Sequence, residues 1–401
     1  MEPAASGDHG WCVGTKGTSK GTTKGAEGSR GHLAIAIGVI IGAAVWLAVS
    51  ADPWQSWSHD GFWEMDRPLA DPSALYAGGE FNVYTTTAHA CVPGSCPTYW
   101  VPRFTSSSLS STAGLRSDAM PARPPWVDAR QRTIWAPSVI KLGRGYVMYF
   151  SATAGQRQGH AAGKKCIGAA ASPSPAGPFL PLDRALMCGP PGYWALDPYA
   201  VSDGVHLYLL WREDDAAHVR GKIVGAQLAP DGLSFHGAIK RTLVAGEFPW
   251  EDGSRTAPAH PTGQGRRLPP GADPGRSGIG PIENPAMARH PDTGRWLLTW
   301  SANRWDTQDY ATGLAVCRGP LGPCERLSRE KPWLHTSEDS AIDTSAEFGG
   351  AGGLSFVTGP DRRLYAVFHA YRGTDTAAES ARIGWAYRVD AVADRYELVE
   401  F

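Results

Sequence analysis

Three short stretches each bring a carboxylate to the mouth of an apolar strand: Asp71 in "ADPSALY", Asp197 in "LDPYAV" and Glu283 in "IENPAM". Asp71 and Asp197 stand directly before a proline, and Glu283 stands one residue further from Pro285. Carboxyls gathered in a partly dry space raise one another's pKa. One can then stay protonated near neutral pH while another stays ionised. Hydrolysis of a glycosidic bond needs that division: an acid for the leaving oxygen and a base for the attacking water. Any one of these acids alone reads as a turn cap or a ligand of a structural cation. Their recurrence at one place in a pattern favours joint chemistry.

The pattern is a repeat. Five segments share a small or acidic opener, an apolar strand, a Gly/Asp turn and an aromatic-rich strand: "DPSALYAGGEFNVYTT", "WAPSVIKLGRGYVMYFSA", "LDPYAVSDGVHLYLLW", "IENPAMARHPDTGRWLLTWSAN" and "GGLSFVTGPDRRLYAVFHAY". Their openers lie roughly 60 to 90 residues apart, the interval of a four-stranded propeller blade with its loops. "KKCIGAAASPSPAGPFLPL", "GKIVGAQLAPDGLSFHG", "TGLAVCRGPLGPCERL" and "RIGWAYRVDAVADRYELVEF" supply second strand pairs between the hairpins. Helical periodicity is nearly absent beyond residue 52, so the expected fold is all-β, a five-bladed β-propeller, with a β-sandwich as the rival. The first strand of each propeller blade lines the central channel. Asp71, Asp197 and Glu283 would therefore face one axial space, with Ala136 of blade two and a glycine of blade five leaving room for a ligand.

Taken in order, "ADPSALY", "WAPSVI", "LDPYAVSDGVHLYL", "IENPAM" and "FHAY" resemble glycoside hydrolase family 43, or a close relative in its five-bladed clan, from about Pro68 to the C-terminus. The resemblance implies Asp71 as general base, Glu283 as general acid and Asp197 as the residue that holds and tunes the acid. It implies inversion of anomeric configuration, arabinofuranosides or xylosides as substrates, and a calcium ion on the axis near His369 that the chemistry does not require. Asn284 departs from the glycine common after the family's acid, and "GAGGLSF" departs from a last blade that often carries a histidine. These departures bear on the sugar and the metal. Trp135 reads either as a ring for stacking a sugar or as filler between blades. Arg382 fits a late-blade arginine that binds a sugar hydroxyl, with a surface ion pair as the alternative.

Residues 1–32 are rich in Gly, Ser, Thr and Lys, the composition of a disordered tail. The uncharged run "LAIAIGVIIGAAVWLAVSA", residues 33–51, would span roughly 28 Å as a helix, near the thickness of a bilayer core. The basic residues before it predict a cytoplasmic tail, a single-pass membrane anchor, a linker over 52–66 and an extracytoplasmic propeller over 67–401. A cleaved signal peptide and secretion form the alternative, since Val49-Ser50-Ala51 resembles a cleavage site. Six cysteines beyond the run lie in close pairs, and Cys91 with Cys96, Cys166 with Cys188 and Cys317 with Cys324 are expected to form disulfides.

A net charge of -1 with 19% charged residues speaks against a polybasic nucleic-acid binder. The expected partners are an oligo- or polysaccharide substrate and the membrane, with the protein itself a monomer. Gly246 to Gly280 is too rich in Gly, Pro and Arg to build a core and reads as a long surface loop. Two other functions stay open: a non-catalytic propeller that binds carbohydrate or protein at the cell surface, and a phosphorylase or transferase using basic loops such as that around Arg266 and Arg267.

Overall fold

The computed structural model describes residues 69–89, 98–111, 113–131, 133–156, 161–214, 221–251, 282–335, 342–343, 348–373 and 382–401. The tail, the apolar run, the linker, Cys91, Cys96, Arg266 and Arg267 lie outside them. Among the described residues no helix is long and apolar enough to cross a membrane.

Five sheets follow one another along the chain, each meandering outward from its first strand, antiparallel except for a short parallel pair at the outer end of the fourth. The first strands are Ser73–Ala77, Trp135–Leu142, Ala195–Ser202, Ile282–Arg289 and Phe348–Thr358, and they pack against one another around a common axis. This is the five-bladed propeller that the repeat predicts. Aromatic and aliphatic side chains fill the wedge between each pair of neighbouring blades. Trp211 and Tyr149, for example, join blades two and three, while Trp300 and Leu210 join blades three and four. Burying such side chains contributes about 1.5–3 kcal/mol each, so the ring is held mainly by its blade-to-blade faces.

Blade one completes itself with Pro102–Ser106 and Gly114–Asp118, a pair not apparent in the sequence. The first of these strands is wholly buried although it contains Arg103. The arginine is neutralised within the blade by Glu80 at 2.8 Å and donates to Asn82 Oδ1 at 2.8 Å. The segment before blade four also differs from expectation at its root. Pro249–Glu251 forms a turn of 3-10 helix that docks on blade four, with Trp250 stacked on Trp300 and Glu251 fully buried.

Disulfides join Cys166 to Cys188 in blade two and Cys317 to Cys324 in blade four. Each ties together paired neighbours on adjacent strands.

The first strands carry one further shared feature, and it positions the site. Ladder pairing is interrupted by a bulge near the opener in blades two to five. Asp71, Ala136, Asp197, Asn284 and Gly353 occupy the left-handed region there, with φ of 51°, 44°, 52°, 47° and 58°. The proline that follows in the first four blades has no N–H to lose where pairing lapses. Bulges bend a strand and re-aim its side chains, here toward one end of the channel.

Candidate active site

Each left-handed opener needs an acceptor for its N–H, and the preceding blade provides it. Ala136 donates to Thr86 Oγ1 at 2.9 Å, Asp197 to Ser151 Oγ at 2.7 Å, Gly353 to Ser301 Oγ at 2.9 Å and Asp71 to His369 Nδ1 at 3.0 Å. Blade three breaks the rule, because Arg212 stands at that place in its second strand, opposite Leu196. A guanidinium cannot accept a hydrogen bond. The Asn284 N–H turns instead to Asp197 Oδ2 at 3.3 Å, and Arg212 pairs with the Glu283 carboxylate of the next blade. A single substitution in a fivefold pattern thus draws Asp197 and Glu283 together.

The three acids have different surroundings. Asp71 accepts from Thr86 Oγ1 at 2.7 Å on one oxygen and from Asn284 Nδ2 at 3.1 Å on the other. Donors on both oxygens suit an ionised carboxylate. Glu283 is held by Arg212 and accepts from the Tyr310 hydroxyl at 2.8 Å. Burial raises its pKa despite those two partners, and Asp71 pushes in the same direction. Asp197 is raised well above the ordinary carboxylate range, first by burial and then by the Glu283 charge. The two carboxyls therefore retain a proton between them at a pH where isolated carboxyls have lost theirs.

Arg212 is fixed from behind by a two-pronged pair with Asp214, at 2.5 and 2.9 Å. Burial and the Glu283 charge keep the Tyr310 phenol protonated well above its usual range, so it remains a donor. The family model for glycosyl hydrolases family 43 matches residues 66–389. The chain belongs to that family. It is therefore a glycoside hydrolase.

Three solved structures show how widely this family 43 fold is shared. A thermostable family-43 glycoside hydrolase superposes with a TM-score of 0.62 at 19% identity, over 82% of this chain and 92% of that one. An α-L-arabinofuranosidase from Lactobacillus brevis gives 0.58 at 19% identity, over 81% and 92%. An α-L-arabinanase from Cellvibrio cellulosa, complexed with arabinohexaose, gives 0.57 at 15% identity, over 83% and 96%. At these identities the likeness is one of fold. Among curated proteins the chain has no match.

In this family 43 enzyme the fifth blade does not leave the room its glycines suggested. A Cβ on Gly352 would lie 2.1 Å from the Tyr310 ring, and one on Gly353 would lie 2.6 Å from His369. Those two rings, stacked at 5.8 Å, occupy the space that the glycines vacate. His369 is fully buried and kept neutral, first by burial and then by Arg382. Its Nδ1 lone pair is taken by the Asp71 N–H, and its Nε2 lies 3.0 Å from the Arg382 guanidinium. A cation at His369 would meet a fixed positive charge and no free lone pair. Among the described residues no group of three or more His, Cys, Asp or Glu is arranged to hold a metal. These residues do not fit a calcium ion ligated directly by His369.

Arg382 is placed on the acid cluster through His369, and its guanidinium lies 4.7 Å over the ring of half-exposed Trp305. Trp135 opens the first strand of blade two opposite Ser151, the partner of Asp197, and Lys165 covers one face of its ring at 4.0 Å. Four residues of the cluster were not singled out from the sequence as site residues: Thr86, Arg212, Asn284 and Tyr310. Arg212 carried a signal, since "LYLLWRED" places charges at the end of an otherwise apolar strand. Thr86 and Tyr310 carried none, because a lone hydroxyl in a β-rich sequence is ordinary.

Proposed function

We propose that the protein is an inverting glycosidase of arabinofuranosyl- or xylosyl-containing glycans, with Asp71 as general base, Glu283 as general acid and Asp197 holding and tuning the acid. The observation that carries this reading is the contrast between the carboxyls facing one channel mouth. Asp71 has donors on both oxygens, while the Glu283 and Asp197 pair retains a proton. Inversion calls for carboxyls far enough apart to admit a water, roughly 6.5–9.5 Å. Three hydrogen bonds of 3.1, 3.1 and 2.8 Å connect Asp71 Oδ1 to Glu283 Oε1, which limits their separation to about 9 Å and is compatible with that range. The sugar class is supported by fold neighbours described as a xylanase, an arabinofuranosidase and an arabinanase. Two local disulfides support an extracytoplasmic propeller.

The test separates the acids by leaving group. Nitrophenolate departs without a proton, so Glu283→Ala should lose about 100- to 10,000-fold on a natural arabinoside or xyloside and far less on the nitrophenyl glycoside. Asp71→Ala should lose activity on both, because water must be activated in either case. NMR should show the inverted anomer first. Equal losses for Glu283→Ala on the two substrates, or a retained anomer, would overturn the assignment of roles.

A further inference from the structure

We propose that Asn284 is a positioning residue that joins the base and the acid into one hydrogen-bonded unit; this rests on the reading of Asp71 and Glu283 given above. Its amide has two hydrogens, and both are used within the site. One goes to Asp71 Oδ1 at 3.1 Å and the other to the Tyr310 hydroxyl at 3.1 Å. A phenol that accepts there turns its own hydrogen elsewhere, and Tyr310 donates to Glu283 Oε1 at 2.8 Å. The chain therefore runs base, amide, phenol, acid without a gap.

The backbone explains why asparagine can stand here. Its φ of 47° lies in the left-handed region, which asparagine tolerates better than other residues with a side chain except aspartate. A glycine would satisfy the backbone equally well and would supply no link. Pro285 follows, and the N–H is tied to Asp197, so the side chain projects from a fixed point.

The charged and polar groups facing the ends of the chain come from blades one, three and five. Thr86 and His369 flank Asp71. Arg212, Asp197 and Asp214 act on Glu283 or on its arginine. None of them contacts both carboxyls by hydrogen bonds in the way the Asn284–Tyr310 bridge does. A shift of one ångström in either carboxyl is enough to cost on the order of 100-fold in rate.

Asn284→Gly keeps the backbone and deletes the link. We expect kcat on a natural glycoside to fall about 10- to 100-fold with KM little changed. The basic limb of the kcat/KM profile should move up, because Tyr310 no longer aims its hydrogen at Glu283. Tyr310→Phe should move the same limb in the same direction. Asn284→Asp, similar in shape and tolerant of the same φ, replaces the donor by an acceptor and should lose more than Asn284→Gly at neutral pH; it also serves as the second variant should the glycine chain misfold. A wild-type pH profile in Asn284→Gly, a loss confined to KM, or full activity in Asn284→Asp would overturn the proposal while leaving the base and acid in place. Retained activity in Asp71→Ala, measured alongside, would instead overturn the underlying reading and the proposal with it.

Discussion

At the residue scale, the site turns on how two buried carboxyls share a proton under one arginine. Burial raises both, their mutual repulsion raises Asp197 further, and Arg212 opposes the shift on each. An acid catalyst must hold its proton up to the working pH, so its raised pKa sets the basic limb of the rate profile. Asp197→Asn removes a negative neighbour, which lowers the pH at which Glu283 releases its proton. The basic limb of kcat/KM should therefore move down, with a smaller loss of rate than in Glu283→Ala. A limb that moves up or stays in place would show that Asp197 acts on the acid by position and not by charge. Aspartate was legible at 71 and 197 because it precedes a proline at a strand mouth. The arginine that organises the pair lies on the facing strand and reads at first as an ordinary surface charge.

At the scale of elements, a bulge does in blades two to five what loops do in many enzymes. It turns one residue of a regular strand into the channel while the strand on either side stays packed. The start of the long segment before blade four is the other element with consequences. Glu251 Oε2 accepts the N–H groups of Glu247 and Phe248 at 2.7 and 2.9 Å, while Oε1 accepts from Trp300 Nε1 at 2.8 Å and Arg326 at 2.9 Å. The carboxylate is fully buried, and the arginine nearly so. Removing one partner of a buried ion pair typically costs about 3–5 kcal/mol, because the other charge is left unpaired. Glu251→Ala should lower stability by that amount in urea denaturation, and a change below about 1 kcal/mol would show that the turn is not anchored through this residue. The glycine and proline around this turn hid it, since composition reports a loop and misses one buried acid.

At the scale of the whole molecule, the first and last blades share no strand among the described residues. Closure is by packing and a few hydrogen bonds. Ser355 accepts from the Ala74 N–H at 3.1 Å, as Ser73 accepts from Val139 and Ser138 from Ala200 further round the axis, and Leu69 donates to the Arg382 carbonyl at 3.0 Å. By its length and lack of charge the apolar run over 33–51 suits a membrane anchor. A C-terminally tagged chain expressed in bacteria should fractionate with membranes, with the tag open to protease from outside. A tag protected in intact cells would reverse the orientation, and a released product beginning near Asp52 would point to the cleaved signal instead.

The sequence alone determined the all-β class and the number of blades, because period-two strands, turn glycines and prolines act over a few residues. Close cysteine spacing likewise pointed to Cys166 with Cys188 and Cys317 with Cys324, which the blades bring opposite one another on paired strands. Tertiary structure decided the rest. That Asn284, and not Glu283, occupies the position equivalent to Asp71 follows from bulge geometry. That glycines 352 and 353 make room for Tyr310 and His369, and that Arg382 meets the histidine proposed for calcium, follows from contacts between blades four and five and within blade five. Such contacts join residues far apart in the chain, across surfaces that form only when the ring is closed, and no local pattern of residue types encodes which side chain will fill the space.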